Sequence, residues 1–250
     1  MPRLFGLIGF PLTHSFSKRY FTEKFLKEGV SDASYELFEM EAAAGFPALF
    51  AENPNLVGIN VTIPHKKAVI SLLNKLDQSA SRVGAVNVIR KERDGQLTGF
   101  NSDYIGFLRS LQSWAGDAIV GSKALVLGTG GAASAVKVAL EDLKIEFLQV
   151  SRSAGNGVIT YGDLKNDPTI LESRKLIINT TPLGTYPDIG KCPDVDFGRI
   201  GSGHLLYDLV YNPAETLFMK KGQEHGAKVK NGYDMLVLQA ERAWEIWNQK

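Results

Sequence analysis

The sequence predicts an α/β fold in two parts, the second a doubly wound parallel sheet, and three observations predict it. Strand-like and helix-like segments alternate through the first hundred or so residues. A continuous apolar run, Ala124-Leu125-Val126-Leu127, enters a glycine-rich turn and then a helical stretch, the texture of a parallel strand covered on both faces. Further short apolar segments, Phe147–Val150, Leu176–Ile178 and Leu205–Tyr207, repeat that texture downstream, as a βαβ progression requires.

In chain order, Leu4–Gly9 reads as a buried strand that Gly9-Phe10-Pro11 ends. A strand and turn are expected here rather than the core of a signal peptide, because Gly6, Gly9 and Pro11 interrupt the run and no small-residue cleavage pattern follows. A helix from near Ser17 to a stop at Gly29 is expected to present Phe21, Phe25 and Leu26 on one face. Tyr35–Glu39 alternates as a strand, and Leu49 and Phe50 close another helical stretch. Leu56–Thr62 is the next strand, which Pro64 bars from continuing, and a helix is expected over Lys66–Asn74. Ala85–Lys91 and Gln96–Phe100 flank Asp94-Gly95, a hairpin signal.

From Tyr104 the period turns helical. Tyr104, Phe107, Leu108, Leu111, Trp114 and Ala115 follow the i, i+3, i+4, i+7 stripe, and Gly116 ends it. The polar stretch Asp117–Ser122 leads into the apolar strand at 124, and Val136–Leu143 is the helix that follows. Met235–Trp247 closes the pattern as an amphipathic helix with Leu236, Ala240, Ala243, Trp244 and Trp247 on one face. The two parts are expected to span 1–102 and 103–233, with the helix of 234–250 packing back on the first.

At 250 residues, 44% hydrophobic and 22% charged, the chain can bury a core without covalent staples. Its single cysteine, Cys192, allows neither an intramolecular disulfide nor a zinc site of the cysteine type, which suits the reducing cytoplasm. A net charge of +1 gives no reason to expect nucleic acid or an anionic membrane as the main partner. No apolar run approaches the roughly 18 residues that span a bilayer, and no internal repeat or low-complexity segment occurs. A monomer or homodimer is expected.

The glycine turn carries the first chemical signal. Gly128-x-Gly130-x-x-Ala133 is the dinucleotide fingerprint of a Rossmann-like domain: Gly128 permits the strand-to-helix turn, Gly130 lets a pyrophosphate approach the backbone, and Ala133 lets the helix sit close to the sheet. About 20 residues on, an NAD binder places a carboxylate for the ribose hydroxyl. Here the strand ends in Ser151-Arg152-Ser153, and an arginine suits the 2′-phosphate of NADP. A solvated arginine after a strand is the plain alternative.

Several ordered segments together resemble the shikimate dehydrogenase (shikimate/quinate dehydrogenase) family over nearly the whole chain. They are His14-Ser15-Phe16-Ser17, Asn60-Val61-Thr62-Ile63-Pro64-His65-Lys66, Gly84-Ala85-Val86-Asn87 and Asn101-Ser102-Asp103. Beyond them stand Gly128-Thr129-Gly130-Gly131-Ala132, Asn179-Thr180-Thr181-Pro182-Leu183-Gly184, Tyr207-Asp208-Leu209-Val210-Tyr211-Asn212-Pro213 and Met235-Leu236-Val237-x-Gln239-Ala240. The resemblance implies an N-terminal α/β substrate domain, a dinucleotide-binding domain, and the NADPH-dependent, reversible reduction of 3-dehydroshikimate to shikimate in aromatic amino-acid biosynthesis.

By the same resemblance Lys66 and Asp103 form the catalytic pair, and Ser15 and Ser17 hold the substrate carboxylate. Thr62, Asn87, Asp103 and Gln239 hold its ring hydroxyls, Tyr211 lies at its edge, and the segment after Asn179 borders the nicotinamide. The implied cofactor set is Gly128, Gly130, Gly131, Ala132, Arg152, Ser153, Thr180 and Gly232.

Read without the family, each residue keeps a plainer alternative. Lys66 suits an exposed lysine of a first helical turn, Asp103 and Ser17 suit helix N-caps, and Gln239 suits an internal hydrogen bond to backbone. His14 and His65 read as structural or peripheral, since no repeated ligand spacing accompanies them, and no metal is expected.

Three departures from the family pattern stand out. Ser17 runs into Lys18 where proline is usual; Asn156 occupies the position of a second basic residue after Arg152; and Thr185-Tyr186 follow Gly184 where methionine is usual. The rival readings are a quinate or dual quinate/shikimate dehydrogenase using NAD, and, from another class, a nucleotide-sensing protein without turnover.

Overall fold

The computed structural model describes residues 2–12 and 15–249. The chain divides into two compact units, Met1–Ser102 with Ala240–Lys250, and Asp103–Gln239.

The first unit contains β1 (Arg3–Gly9), α1 (Phe16–Glu28), β2 (Ala33–Glu39), α2 (Phe46–Glu52), β3 (Leu56–Val61), β4 (Lys75–Leu76), α3 (Gln78–Val83), β5 (Val88–Lys91) and β6 (Leu97–Phe100). They build a mixed sheet of order β2-β1-β3-β5-β6-β4, in which β1 lies parallel to β2 and β3 while β5 runs antiparallel to β3 and β6.

Helix α1 starts on the side chain of Ser15, whose hydroxyl oxygen accepts from the Lys18 amide, and ends on Gly29 in the left-handed conformation. Phe21 and Phe25 are buried, but Leu26, expected beside them, is 85% exposed. The buried stripe passes instead through Lys24, whose ammonium meets Glu28 at 2.6 Å and Glu241 at 2.9 Å. One step beyond Phe25 turns the helix by about 100°, which carries Leu26 off that face.

The expected helix over Lys66–Asn74 is a short 3₁₀ turn, Ala68–Leu72. Its physical reason is a competing partner: the Lys66 carbonyl, which an α-helix would offer to the residue four on, accepts from the Val86 amide at 2.7 Å. Ile70 therefore donates to Lys67 at 3.2 Å, one residue nearer. The hairpin forms around Asp94-Gly95, but its first strand begins at Val88 rather than Ala85, because Ala85 and Val86 bond to Asn101 and Lys66 instead.

The second unit contains α4 (Asp103–Ala115), β7 (Lys123–Leu127), α5 (Gly131–Asp142), β8 (Glu146–Ser151), β9 (Val158–Thr160), α6 (Tyr161–Asn166), α7 (Pro168–Ser173), β10 (Leu176–Asn179), β11 (Leu205–Asp208), α8 (Leu217–Glu224) and β12 (Lys228–Lys230). All its strands are parallel, in the order β12-β11-β10-β7-β8-β9. The chain winds outward from β7 through β8 to β9, then returns to β10 on the other flank of β7 and winds the opposite way. This is the predicted doubly wound sheet, and its switch point falls between β7 and β10, where such sheets bind ligands beyond the strands' carboxyl ends. Each of Ala124–Leu127 and Leu176–Ile178 is wholly buried.

The last helix, α9 (Tyr233–Asn248), puts Ala240, Ala243, Ile246 and Trp247 into one apolar cluster with Phe5, Phe21, Phe25 and Tyr35. The Trp247 indole N–H donates to the Ile89 carbonyl at 3.1 Å, and its ring fills the space that a side chain on Gly58 would take, 2.3 Å from a Cβ built there. Leu236, expected on the buried face, is half-buried; Met235 and Ile246 are buried in its place.

Candidate active site

In the second unit, the turn after β7 holds the glycines in place through its backbone. The Gly128 amide donates to the Val150 carbonyl at 2.8 Å, and the Gly128 carbonyl accepts from the Gln149 amide group at 2.7 Å. Gly128 has φ +114°, a conformation that disfavours any other residue, and a Cβ on it would stand 2.7 Å from the Thr180 hydroxyl oxygen. Gly130 then caps α5 with no side-chain hydrogen bond, and neither Gly130 nor Gly131 has an atom within 4 Å of where its Cβ would stand. The first turn of α5 thus presents backbone N–H donors and the positive end of the helix dipole to an unfilled space, the arrangement that receives a phosphate.

That space is a groove of about 320 Å³ lined by Gly128, Thr129, Gly130, Ser151, Arg152, Tyr161, Thr180, Thr181, Pro182 and Leu183. Its size falls within the range of small-molecule sites.

One wall is the segment after β10. The Thr180 amide and hydroxyl both donate to the Leu127 carbonyl, at 2.9 and 2.7 Å. Asn179 is fully buried, and its side-chain oxygen accepts from the Thr181 amide at 2.9 Å and the Thr181 hydroxyl at 2.7 Å. Its amide nitrogen donates to Asp208 at 2.9 Å. Asp208, also fully buried, accepts further bonds from Val210 N at 3.0 Å and the Thr216 hydroxyl at 2.6 Å. Burial pushes its carboxyl up to about 6 against the pull of those donors.

Of the sequence-predicted cofactor residues, Gly128, Gly130, Arg152 and Thr180 line this groove, and Gly131 and Ala132 form the first turn of the helix beside it. Ser153 is exposed and outside the lining. Gly232 is also outside it; a Cβ there would stand 2.1 Å from the Leu209 carbonyl oxygen, so it serves a close backbone crossing. Tyr211, expected at the substrate's edge, is 38% exposed. Tyr161, which the sequence pattern does not point to, lines the groove. Its position follows from the three-residue strand β9, too short to show a period.

In the first unit, three sequence segments lock together. The Asn101 side chain donates to the Ala85 carbonyl at 2.9 Å, and Val86 donates to Lys66 O. The Asn87 side chain donates to the Ser102 hydroxyl at 3.0 Å and accepts the Ser102 amide at 2.7 Å. The Asn87 amide donates to Phe100 O, and its carbonyl accepts from Val61 N at 2.9 Å. This lattice fixes the backbone beside Lys66 and sets Asn87 at the end of β3. Thr62, at the same end, donates its amide to Ile8 O at 2.9 Å.

Ser17 reaches the set through Tyr35, whose phenol is pushed far up by burial while the Ser17 hydrogen bond pulls the other way. The Tyr35 hydroxyl donates to Asn60 at 2.8 Å, and Asn60 donates to Asn87 O at 3.2 Å. Ser17 and Asn87 are therefore joined in one hydrogen-bonded frame, with Lys66 half-buried beside it, while Ser15 caps α1 and Thr62 bonds to β1. His65 bonds the Met40 carbonyl at 2.7 Å and is buried, a structural role. His14 lies outside the described residues.

Asp103 is buried and is the first residue of α4 rather than the residue before it. The Gln239 amide nitrogen donates to the Leu236 carbonyl at 2.9 Å, within its own helix. Lys18 has a use of its own. Its amide makes the capping bond to Ser15, which a proline lacks the hydrogen to make, and its ammonium bridges to Glu36 at 2.8 Å. Tyr186, in the stretch after Gly184 where a methionine is usual, is 67% exposed, its amide bonded to Asn212 O. Among the described residues no cluster of three His, Cys, Asp or Glu side chains gathers as a metal site, and no helix is long and apolar enough to cross a membrane.

The family model for the shikimate dehydrogenase substrate binding domain matches residues 7–89. The chain is 35% identical to the shikimate dehydrogenase (NADP(+)) of Geobacillus kaustophilus, over 99% of its own length and 93% of that relative's. Its structure superposes with a TM-score of 0.87 on the chorismate mutase/shikimate 5-dehydrogenase fusion protein of Clostridium acetobutylicum, at 37% identity and covering 99% and 92% of the two chains. It matches the Thermus thermophilus shikimate 5-dehydrogenase in complex with NADP(H) and shikimate at a TM-score of 0.84 and 28% identity, covering 98% and 93%. With relatives of this identity matched from end to end, and with the fingerprint turn and the frame around Asn87 both formed, the chain belongs to the shikimate dehydrogenase family.

Proposed function

We propose that this chain is an NADP-dependent shikimate dehydrogenase that reversibly reduces 3-dehydroshikimate to shikimate. The observation that carries the reading is the groove at the switch point of the second sheet. It offers a bare helix start to a pyrophosphate and an arginine, not a carboxylate, where the adenosine ribose of a dinucleotide falls. The names of the full-length relatives, NADP(+) shikimate dehydrogenases, support the same cofactor and substrate.

When bound, NADPH supplies the hydride to the ketone carbon. The remaining work falls to the protein. Ser15 and Ser17 hold the substrate carboxylate through their hydroxyls, and Thr62, Asn87, Asp103 and Gln239 orient the ring. Lys66 donates a proton to the ketone oxygen as negative charge develops there, with Asp103 as its partner, a contribution of about 10²–10⁴-fold for a placed acid. Thr180 and its neighbours wall the reactive end of the cofactor. The protein is a cytoplasmic monomer or homodimer in this reading, the compartment supported by a lone, half-buried cysteine.

The test follows NADPH absorbance with purified protein and 3-dehydroshikimate, run beside quinate and NAD in all pairings. The reading expects the largest kcat/KM for the shikimate and NADP pair. Lys66→Ala is expected to lower kcat by at least about 10²-fold with little change in KM, the signature of a group acting in the transition state. A variant with near-normal kcat removes Lys66 from the proton step.

A further inference from the structure

The groove that Arg152 lines holds a second polar side chain, Tyr161. Asn156, at the position where a second cation is usual, is exposed at the tip of the tight turn closed by Gly155 and Val158, whose backbones exchange hydrogen bonds at 3.1 Å, and it lines no part of the groove. Tyr161 does line it. The parallel register of β8 and β9 pairs Ser151 with Thr160. The next residue of each strand, Arg152 and Tyr161, therefore leaves the carboxyl edge of the sheet beside the other, and both border the same space.

We infer that Tyr161 is a specificity-determining residue for the cofactor, its hydroxyl donating a hydrogen bond to the 2′-phosphate beside Arg152. The inference rests on the NADP reading given above. A phosphate monoester carries about −1.5 to −2 charges and three acceptor oxygens near neutral pH, and one guanidinium satisfies at most two of them bidentately. A neutral phenol supplies a further donor where a cation is missing. The side chain is anchored at both ends. Its ring packs against the cluster around Val150 and Leu164, and the reciprocal Thr160–Asp163 capping box, with bonds of 2.8 and 3.0 Å, sets the backbone at which it begins. Its proton is retained, because burial and Asp194 push the phenol up to about 12 while Arg152 opposes them.

The experiment titrates the full chain and Tyr161→Phe with two pairs of ligands, NADP⁺ against NAD⁺ and 2′,5′-ADP against 5′-AMP. Phenylalanine keeps the packed ring, and thermal melting checks that the fold is retained. Expected is a loss of about tenfold or more for both 2′-phosphorylated ligands, the scale of one hydrogen bond to a charged group, with NAD⁺ and 5′-AMP unchanged within about twofold. Equal losses in both members of each pair overturn the inference and assign the Tyr161 hydroxyl to a part of the adenosine that all four ligands share. Unchanged affinities overturn it as well. Wild-type protein that fails to separate 2′,5′-ADP from 5′-AMP sinks the NADP reading itself, an outcome distinct from a selective wild type whose selectivity Tyr161→Phe leaves intact.

Discussion

Replacing Asp208 by Asn isolates the effect of one charge buried under the groove wall. The carboxylate has no exposed surface, and its partners are neutral donors, from Asn179, Val210 and Thr216. They offset part of the desolvation, which leaves the carboxyl at about 6 against an ordinary value of 3.8. That difference corresponds to about 3 kcal/mol, at about 1.4 kcal/mol for each pH unit. The sign follows from linkage. A carboxyl whose folded value is raised binds its proton more tightly in the fold, so its favourable contribution is whole below the unfolded value and is lost as pH rises through about 6. Asparagine carries no charge to desolvate. Its oxygen keeps the bonds from Asn179 and Val210, and its amide donates to Thr216, whose hydroxyl turns to accept. The variant is therefore expected to exceed the parent by about 1–3 kcal/mol near pH 7.5, after allowance for the weaker neutral bonds, and to lose that advantage towards pH 4. Urea unfolding at a series of pH values reads the difference directly. A gap between the two proteins that stays constant from about pH 4 to 8 refutes the reasoning, because the carboxyl would then bear the same charge folded and unfolded.

Gly128→Ala places a methyl 2.7 Å from the Thr180 hydroxyl oxygen at φ +114°, so about 1–3 kcal/mol of stability and most dinucleotide affinity should go together, by melting and by titration. Leu26→Lys should change stability by no more than about 0.5 kcal/mol, whereas Phe21→Ala should cost about 3–5 kcal/mol; denaturant midpoints separate an 85%-exposed side chain from a fully buried one. Arg152→Ala should weaken NADP binding by about 1.5–3 kcal/mol and leave NAD kinetics nearly unchanged, and equal losses with the two cofactors would count against a 2′-phosphate contact.

The parts of this fold that were legible in the sequence are those whose physics is local. Buried parallel strands such as Leu125–Leu127 show as apolar runs because both faces are covered, and the glycines of the turn show because side chains are excluded there. What was not legible depends on partners far along the chain. The segment after Lys66 reads as helix until Val86 claims its carbonyl, and Leu26 reads as core until Lys24, drawn inward by Glu241, takes the buried stripe. Strands β4, β9 and β12 have two or three residues each and carry no period to read. The same division runs through the candidate site. Arg152 announces itself two residues after a clear strand, whereas Tyr161 reaches the groove only through sheet register, and the frame that ties Asn87 to Ser102, Tyr35 and Ser17 is a matter of tertiary hydrogen bonds.

The indole of Trp247 seated over Gly58 has a consequence for biosynthesis. A nascent chain that has emerged from the ribosome as far as residue 102 holds Phe5, Phe21 and Phe25 but not the tryptophans that cover them, so its first sheet waits with an uncovered aromatic face. The later stretch, 103–239, carries its own core without interruption and is free to fold as it is made. The leading segment therefore completes its aromatic core only once the last helix has been made.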